Sequence, residues 1–158
     1  MGESSSSARL YLDDLHVGQR FTSTTHKIDE AQIKAFAAQF DPQPFHTDEK
    51  AAEGTVFNGL AASGWHTAAI TMRLLVTSGL NLAGGAIGVG AKELRWPNPV
   101  RPGDKLRLEV EIVEVRQSRS KPDRGTVRIR YATRNQKDEI VMTLTATALV
   151  PKKTKGTK

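Results

Sequence analysis

The 158-residue sequence predicts an α+β domain in which an antiparallel sheet wraps one apolar helix. Three observations carry this. Residues 63–78, SGWHTAAITMRLLVTS, are apolar around most of a helical circumference, with Arg73 as their only charge, which is the pattern of a buried helix. The next four segments, GGAIGVGAKELRW, KLRLEVEIVEVR, GTVRIRYATRN and EIVMTLTATALV, show period-two patterning rich in Val, Ile, Leu and Thr, as strands do. Between them stand NPVRPGD, SKPDRG and NQKDE, which are turn chemistry. Four strands after one core helix leave the helix as the natural cover for one face of the sheet.

Taken from the start, residues 1–10 open with the polar stretch MGESSSSAR, which lacks the apolar centre of a secretory signal and reads as a disordered tail. The stretch DLHVGQRFTSTTHKID alternates weakly through Val17 and Phe21 and predicts a first strand ending near His26. Asp29 is placed to cap a helix whose apolar positions Ala31, Ile33, Phe36, Ala37 and Phe40 recur at helical spacing, with Pro42 as its stop. A loop then runs through Pro44 and His46 to a turn of helix at 48–52, and through Gly54 and Gly59 to the buried helix, which Gly79 ends. Trp65, Met72 and Leu74 are read as core filling, and His66 as a satisfied core or interface histidine. The alternation in LRLEVEIVEV predicts one wet sheet face and one covered face. The sheet edges invite a second copy. The domain spans 11–151, and 152–158 form a basic tail.

Composition narrows the function classes. A hydrophobic share of 38% and a charged share of 25% suit a soluble globular chain with one core, and no apolar run reaches the roughly 20 residues of a membrane helix. The reading is a cytoplasmic protein without membrane partners. Cysteine is absent, so disulfides, thiolate nucleophiles and cysteine metal sites are excluded. Of the net charge of +6, four positive charges are lysines in the final PKKTKGTK, and the remaining basic residues have no aromatic interleaving, so no nucleic-acid partner is expected. A modest positive field would help collect an anionic ligand.

The chemistry points to FDPQPFHTDEKAAEGTVFNGLAASGWHT, residues 40–67. Asp41 and His46 lie five residues apart, so on a helix they would point about 140° apart and on a strand to opposite faces. Pro42 and Pro44 are read as forbidding both structures, leaving an irregular loop to bring the two side chains together. A carboxylate beside an imidazole can polarise water, one accepting a proton while the other orients the oxygen or returns a proton. No Cys and no G-x-S-x-G elbow supplies a covalent nucleophile, and His16, His26 and His66 lie in separate elements, so no metal site is expected. If Ser63 and Gly64 open the buried helix, its first N–H groups can face an oxyanion, with Gly64 letting a ligand carbonyl approach. Together these parts suit the enolate formed when water adds to an α,β-unsaturated thioester.

The segment D-P-Q-P-F-H-T-D at 41–48 resembles the D-x-N-P-x-H-x-D signature of the MaoC-like dehydratases, the group that includes the (R)-specific enoyl-CoA hydratases. The early segment YLDDLHVGQRF, the turn PVRPGD at 99–104 and the final TLTATALVPK resemble the same family, so the likeness covers roughly 11–151. It implies a hot-dog fold, a homodimer or dimer of dimers with sites near the interface, and an acyl-CoA or acyl-carrier thioester substrate, with coenzyme A as part of the substrate and no separate cofactor. It matches Asp41 and His46 to the catalytic acid and imidazole, and Gly64 to the glycine whose N–H faces the thioester oxygen. Gln43, Phe45, Ser63, Trp65 and Arg95 are candidate substrate-binding residues. Lys92, Arg95 and Arg101 are basic residues that either meet phosphates or remain solvated. Gln43 replaces the usual asparagine, Ser63 stands where many hydratases carry histidine, and Met72, with Thr71 beside it, stands about where some carry a serine. The implied activity interconverts trans-2-enoyl and 3-hydroxyacyl thioesters. The alternatives are a hot-dog thioesterase, disfavoured because 63–78 contains no carboxylate, and a non-catalytic acyl-thioester-binding module.

Overall fold

The computed structural model of the chain describes residues 8–154. A 3-10 turn at Leu12–Asp14 leads into β1 (Arg20–Lys27), followed by α1 (Glu30–Phe40), the short α2 (Pro44–Thr47) and α3 (Glu49–Glu53), the long α4 (Gly64–Ser78), and then β2 (Ile87–Arg95), β3 (Lys105–Gln117), β4 (Arg124–Arg134) and β5 (Ile140–Pro151). The strands form one five-stranded sheet in the order β1-β3-β4-β5-β2. Each neighbouring pair is antiparallel. This is the α+β hot-dog arrangement expected from the sequence.

Local chemistry sets the element ends. The Asp29 side chain accepts the Gln32 N–H at 2.8 Å and caps α1, satisfying one of the donors a helix start leaves over. Gly79 ends α4, its N–H reaching Leu75 O at 3.2 Å. On β4, and on β3 as far as Ile112, every second residue is buried, and Leu106, Leu108, Ile112, Val127 and Ile129 form the inner face with essentially no exposure. Ile70, Leu74 and Leu75 of α4 join them in one core. Fully burying each such aliphatic side chain stabilises the fold by about 1.5–3 kcal/mol.

Two expectations about α4 are corrected. Leu74 is core, but Trp65 and Met72 are 60% and 46% exposed, and Val76 is 58% exposed. Spaced at i, i+7 and i+11, these three share one side of the helix, so α4 buries one face and leaves an apolar stripe outside. Beside this stripe the edge strand β2 exposes Ile87 and Val89. Hydrogen bonds of the fold also reach residues 10, 152 and 153. Leu10 N–H donates to Asn81 O, and Leu10 O accepts from Ala83 N–H, both at 2.8 Å, which ties residue 10 into the fold. Lys152 and Lys153 donate backbone N–H groups to Asp123 O and Asp13 Oδ2. Residues 1–7 and 155–158 of the two expected tails lie outside the described residues. No helix among the described residues is long and apolar enough to cross a membrane.

β2 carries a bulge with a cost. Lys92 pairs with Thr145 and Arg95 with Thr143, so one extra residue sits on the β2 side. Glu93 absorbs it at φ 57°, a left-handed conformation costing a non-glycine residue about 1–2 kcal/mol. Bulges bend a strand and re-aim the residues beyond them, and the residue just past the end of β2 is Trp96.

Candidate active site

Asp41 and His46 come together through helix ends rather than an irregular loop. Asp41 is the residue after α1, its N–H still bonded to Ala37 O at 2.8 Å. His46 lies on α2, a single helical turn that starts at Pro44. The expectation that the prolines forbid helix is therefore corrected: proline at the first helical position loses no needed hydrogen bond and has the right φ. Gln43 precedes that turn and its carbonyl accepts the His46 N–H at 2.9 Å. The sharp change of direction between α1 and α2 does what neither one helix nor one strand would do.

The imidazole is buried at 4% exposure, and its Nδ1 lies 2.5 Å from Ala61 O. A carbonyl only accepts, so Nδ1 carries the proton. Nε2 then faces Asp41 Oδ2 at 3.3 Å. In a neutral imidazole these two atoms are both acceptors, and the contact becomes a hydrogen bond only when Nε2 also carries a proton. Asp41 Oδ2 also accepts the Ser63 hydroxyl at 2.7 Å, and Oδ1 accepts Gln43 Nε2 at 2.5 Å. Burial pushes the Asp41 pKa up, but the Gln43 and Ser63 hydrogen bonds and the adjacent His46 outweigh it and hold the carboxyl below its ordinary value. This group is therefore ionised at neutral pH.

Ser63 caps α4, its Oγ accepting the Trp65 N–H at 3.3 Å. Its carbonyl takes the N–H groups of His66 and Thr67 at 3.0 and 3.1 Å. Of the first-turn donors, the Gly64 N–H has no acceptor among the described residues, and Gly64 lines the cavity that also holds Asp41 and His46. That cavity measures about 560 Å³. Phe45 meets the His46 ring edge-on with centroids 4.5 Å apart and leans on Phe57 at 5.1 Å, so one wall is aromatic. Gln43 and Trp65 also line it.

The missing side chain of Gly64 makes room for protein before it makes room for ligand: a Cβ there would lie 2.6 Å from Cε2 of Trp96. Trp96 packs edge-on against Trp65, centroids 5.2 Å apart, and flanks the cavity mouth. Two candidates stand outside the cavity. Ser63 is wholly buried behind it, with its hydroxyl on Asp41 instead of facing a ligand. Arg95 is exposed on β2 and, like Lys92, has no ion-pair partner among the described residues. Arg101 turns inward, donating to Gly59 O at 3.0 Å, to Leu60 O at 3.2 Å and to Phe57 O. It clasps the segment that carries Phe57 and runs on to Ala61, so its phosphate reading gives way to a structural one. Thr71 beside Met72 bonds Thr133 at 2.6 Å and Thr67 O at 2.9 Å, and so faces β4 rather than the cavity.

His66 departs from its expected satisfied state. It stacks on Phe36, centroids 4.5 Å apart, with Nδ1 buried and lacking a hydrogen-bond partner among the described residues. Burial first, and nearby His26 second, lower its pKa. Among the described residues no three His, Cys, Asp or Glu side chains are grouped to hold a metal ion. Sequence reasoning missed Val56, Phe57, Trp96, Asn98 and Val141 as cavity walls; they come from distant segments with no shared motif.

The model of the MaoC like domain family matches residues 15–135. A crystal structure of a MaoC-like dehydratase from Rhodospirillum rubrum superposes with a TM-score of 0.89 at 56% identity, covering 92% of this chain and 99% of that one. The R-hydratase PhaJ1 from Pseudomonas aeruginosa superposes with a TM-score of 0.74 at 29% identity, covering 92% and 88%. A 3-hydroxybutyryl-CoA dehydratase of Methylorubrum extorquens is 33% identical over 147 residues, 91% of this chain and 86% of that protein.

Proposed function

The chain belongs to the MaoC-like domain family, and from that premise we propose that it is a hydratase or dehydratase interconverting trans-2-enoyl and 3-hydroxyacyl thioesters, with coenzyme A carried in on the substrate. The observation that supports this most is the convergence, on one cavity, of an ionised Asp41, the Nε2 of His46 and the unbonded N–H of Gly64. In hydration, water held by Asp41 and His46 adds its oxygen to C3 of the enoyl group as the pair takes up its proton. The C2=C3 electrons move toward the thioester, whose oxygen becomes negative and accepts the Gly64 N–H at the positive end of α4. A proton then passes to C2, so that OH and H have added across the bond and the pair regains its starting state. Dehydration is the reverse. Gln43, Phe45 and Trp65 contact the acyl part, and Arg95 and Lys92 are the nearest unpaired cations for phosphates on β2.

The assembly in this reading is a homodimer. Trp65, which lines the cavity, begins the outward stripe that Met72 and Val76 continue, and β2 is a bare edge strand; a second copy laid there would extend the sheet and cover the stripe. The thioesterase alternative lacks a carboxylate on α4, which runs GWHTAAITMRLLVTS.

The test is a panel of trans-2-enoyl-CoA thioesters of graded length and branching, with loss of the conjugated chromophore and release of free thiol followed in parallel. Water addition without thiol release is the expected result. Thiol release alone selects the thioesterase, and binding without either reaction selects the acyl-binding module.

A further inference from the structure

The geometry points to Ser63 as a positioning residue that fastens the Asp41 carboxylate to the amino end of α4, an inference that rests on the hydration reading and assigns a task to a residue set behind the cavity. A serine hydroxyl has one proton to give, and here Asp41 Oδ2 receives it at 2.7 Å. Its oxygen in turn accepts the Trp65 N–H. The residue is wholly buried, so water does not reach its hydroxyl, which cannot serve a ligand without releasing Asp41. The contrast with Gln43, the other side chain bonded to the carboxylate, is exposure: Gln43 lies at the surface, where water can replace its amide.

The two bonds form a short chain from helix to carboxylate. The N–H of Trp65, part of the positive end of α4, polarises the hydroxyl, which strengthens the bond it donates. A carboxylate offers about four lone-pair directions. Ser63 and Gln43 take one on each oxygen, leaving a direction beside His46 Nε2, 3.3 Å from Oδ2, for the water to be activated. Ser63 therefore fixes the rotamer that presents this remaining direction, and it does so from the same helix turn that supplies the Gly64 N–H. Proton acceptor and oxyanion donor are thereby held in register by one residue. At position 63, where this chain departs from the histidine common in the family pattern, the structure gives the serine a role that does not involve touching substrate.

The test separates this role from helix capping. Glycine is a good N-cap and alanine a poor one, so Ser63→Gly removes the hydroxyl while nearly keeping helix stability, and Ser63→Ala removes both. For an enoyl-CoA that the wild type hydrates, S63G is expected to lower kcat by at least about tenfold, the effect of losing one hydrogen bond to a charged group. KM should change little, and the acid limb of the pH profile should move to higher pH. S63A should show the same kinetic change together with a lower Tm. In parallel, 13C NMR of the Asp41 carboxyl in the full chain follows its titration directly, and S63G should raise it. An S63G enzyme with wild-type kcat and acid limb overturns the inference, as does an unchanged Asp41 titration. A wild type inactive on every enoyl thioester defeats the hydration reading instead, and the carboxyl titration still decides the role of Ser63.

Discussion

The outer face of the sheet and the floor of the cavity both set a carboxylate beside nitrogen side chains, yet they use charge in opposite ways. On the outer face Arg20 and Arg130 flank Glu111, each at 3.6 Å, Arg116 and Arg128 flank Glu114 at 2.9 and 3.0 Å, and Arg107 and Arg134 flank Glu109 at 3.4 and 3.2 Å. These pairs cross β1, β3 and β4 in contact with water, where each is worth about 0–1 kcal/mol. In the cavity a single carboxylate meets a single imidazole, side chains 15% and 5% exposed, and each hydrogen bond is directed. The difference teaches that the number of ion pairs marks a solvated face, whereas burial with an incomplete set of partners marks a place for chemistry.

The comparison breaks first at Asp41. Asp41→Asn should lower the hydration rate by about 10²–10⁴-fold, the usual contribution of a positioned base, with ligand affinity nearly kept. His46→Ala should do the same, and the double variant should be scarcely slower than either single one, because a pair acting as a unit is not additive. Because the Asp41 pKa is lowered, its contribution to stability is present above the unfolded-state value and is lost as pH falls through the folded value; wild-type activity should fail over the same acid window. Stopped-flow rates and a pH profile test this, and an unaffected D41N enzyme would remove Asp41 from the mechanism.

Next comes Gly64→Ala. The new Cβ would stand 2.6 Å from the Trp96 indole, so the ring or the helix start must move. A displacement near 1 Å at a reacting centre costs about a hundredfold, and a loss of about ten- to a hundredfold in kcat is expected. Wild-type kcat in G64A would show that the close fit of Trp96 on the start of α4 does not matter to turnover.

A smaller effect is expected from Arg101→Met, which leaves the carbonyls of Phe57, Gly59 and Leu60 without their donor. A group left unsatisfied when its partner is removed costs about 1–3 kcal/mol, read by urea unfolding, together with a several-fold loss of kcat because Ala61, the acceptor for His46, is the next residue. Unchanged stability would show that the clasp is idle. The smallest effect belongs to the outer face. Glu111→Gln should change stability by no more than about 0.5 kcal/mol and leave hydration untouched; a large loss of activity there would erase the contrast between the two regions.

Most of the architecture was legible because it is written in short-range patterns. The alternation of β3 and β4 and the helical spacing of Ile33 and Ala37 reflect which face each element buries, and the Asp29 cap and Gly79 stop are local chemistry. Pro44 misled because a proline halts a helix from within but suits one at its start. Trp65 and Met72 misled for another reason: periodicity says which residues share a face and does not say whether a single chain covers that face. The pair Asp41 and His46 could be found from its motif, but its partners could not. That the Ser63 hydroxyl reaches back 22 residues to Asp41, and that Trp96 settles on Gly64, depend on how distant segments pack, to which no local pattern corresponds.

Both tryptophans of the chain stand at the mouth of the cavity, in contact with each other and with nothing similar elsewhere. Ultraviolet emission from this protein therefore originates almost wholly at the place where an acyl thioester would enter. The molecule carries its own optical probe, and titrating unlabelled protein with candidate ligands should give occupancy directly, without a coupled assay and before any turnover is known.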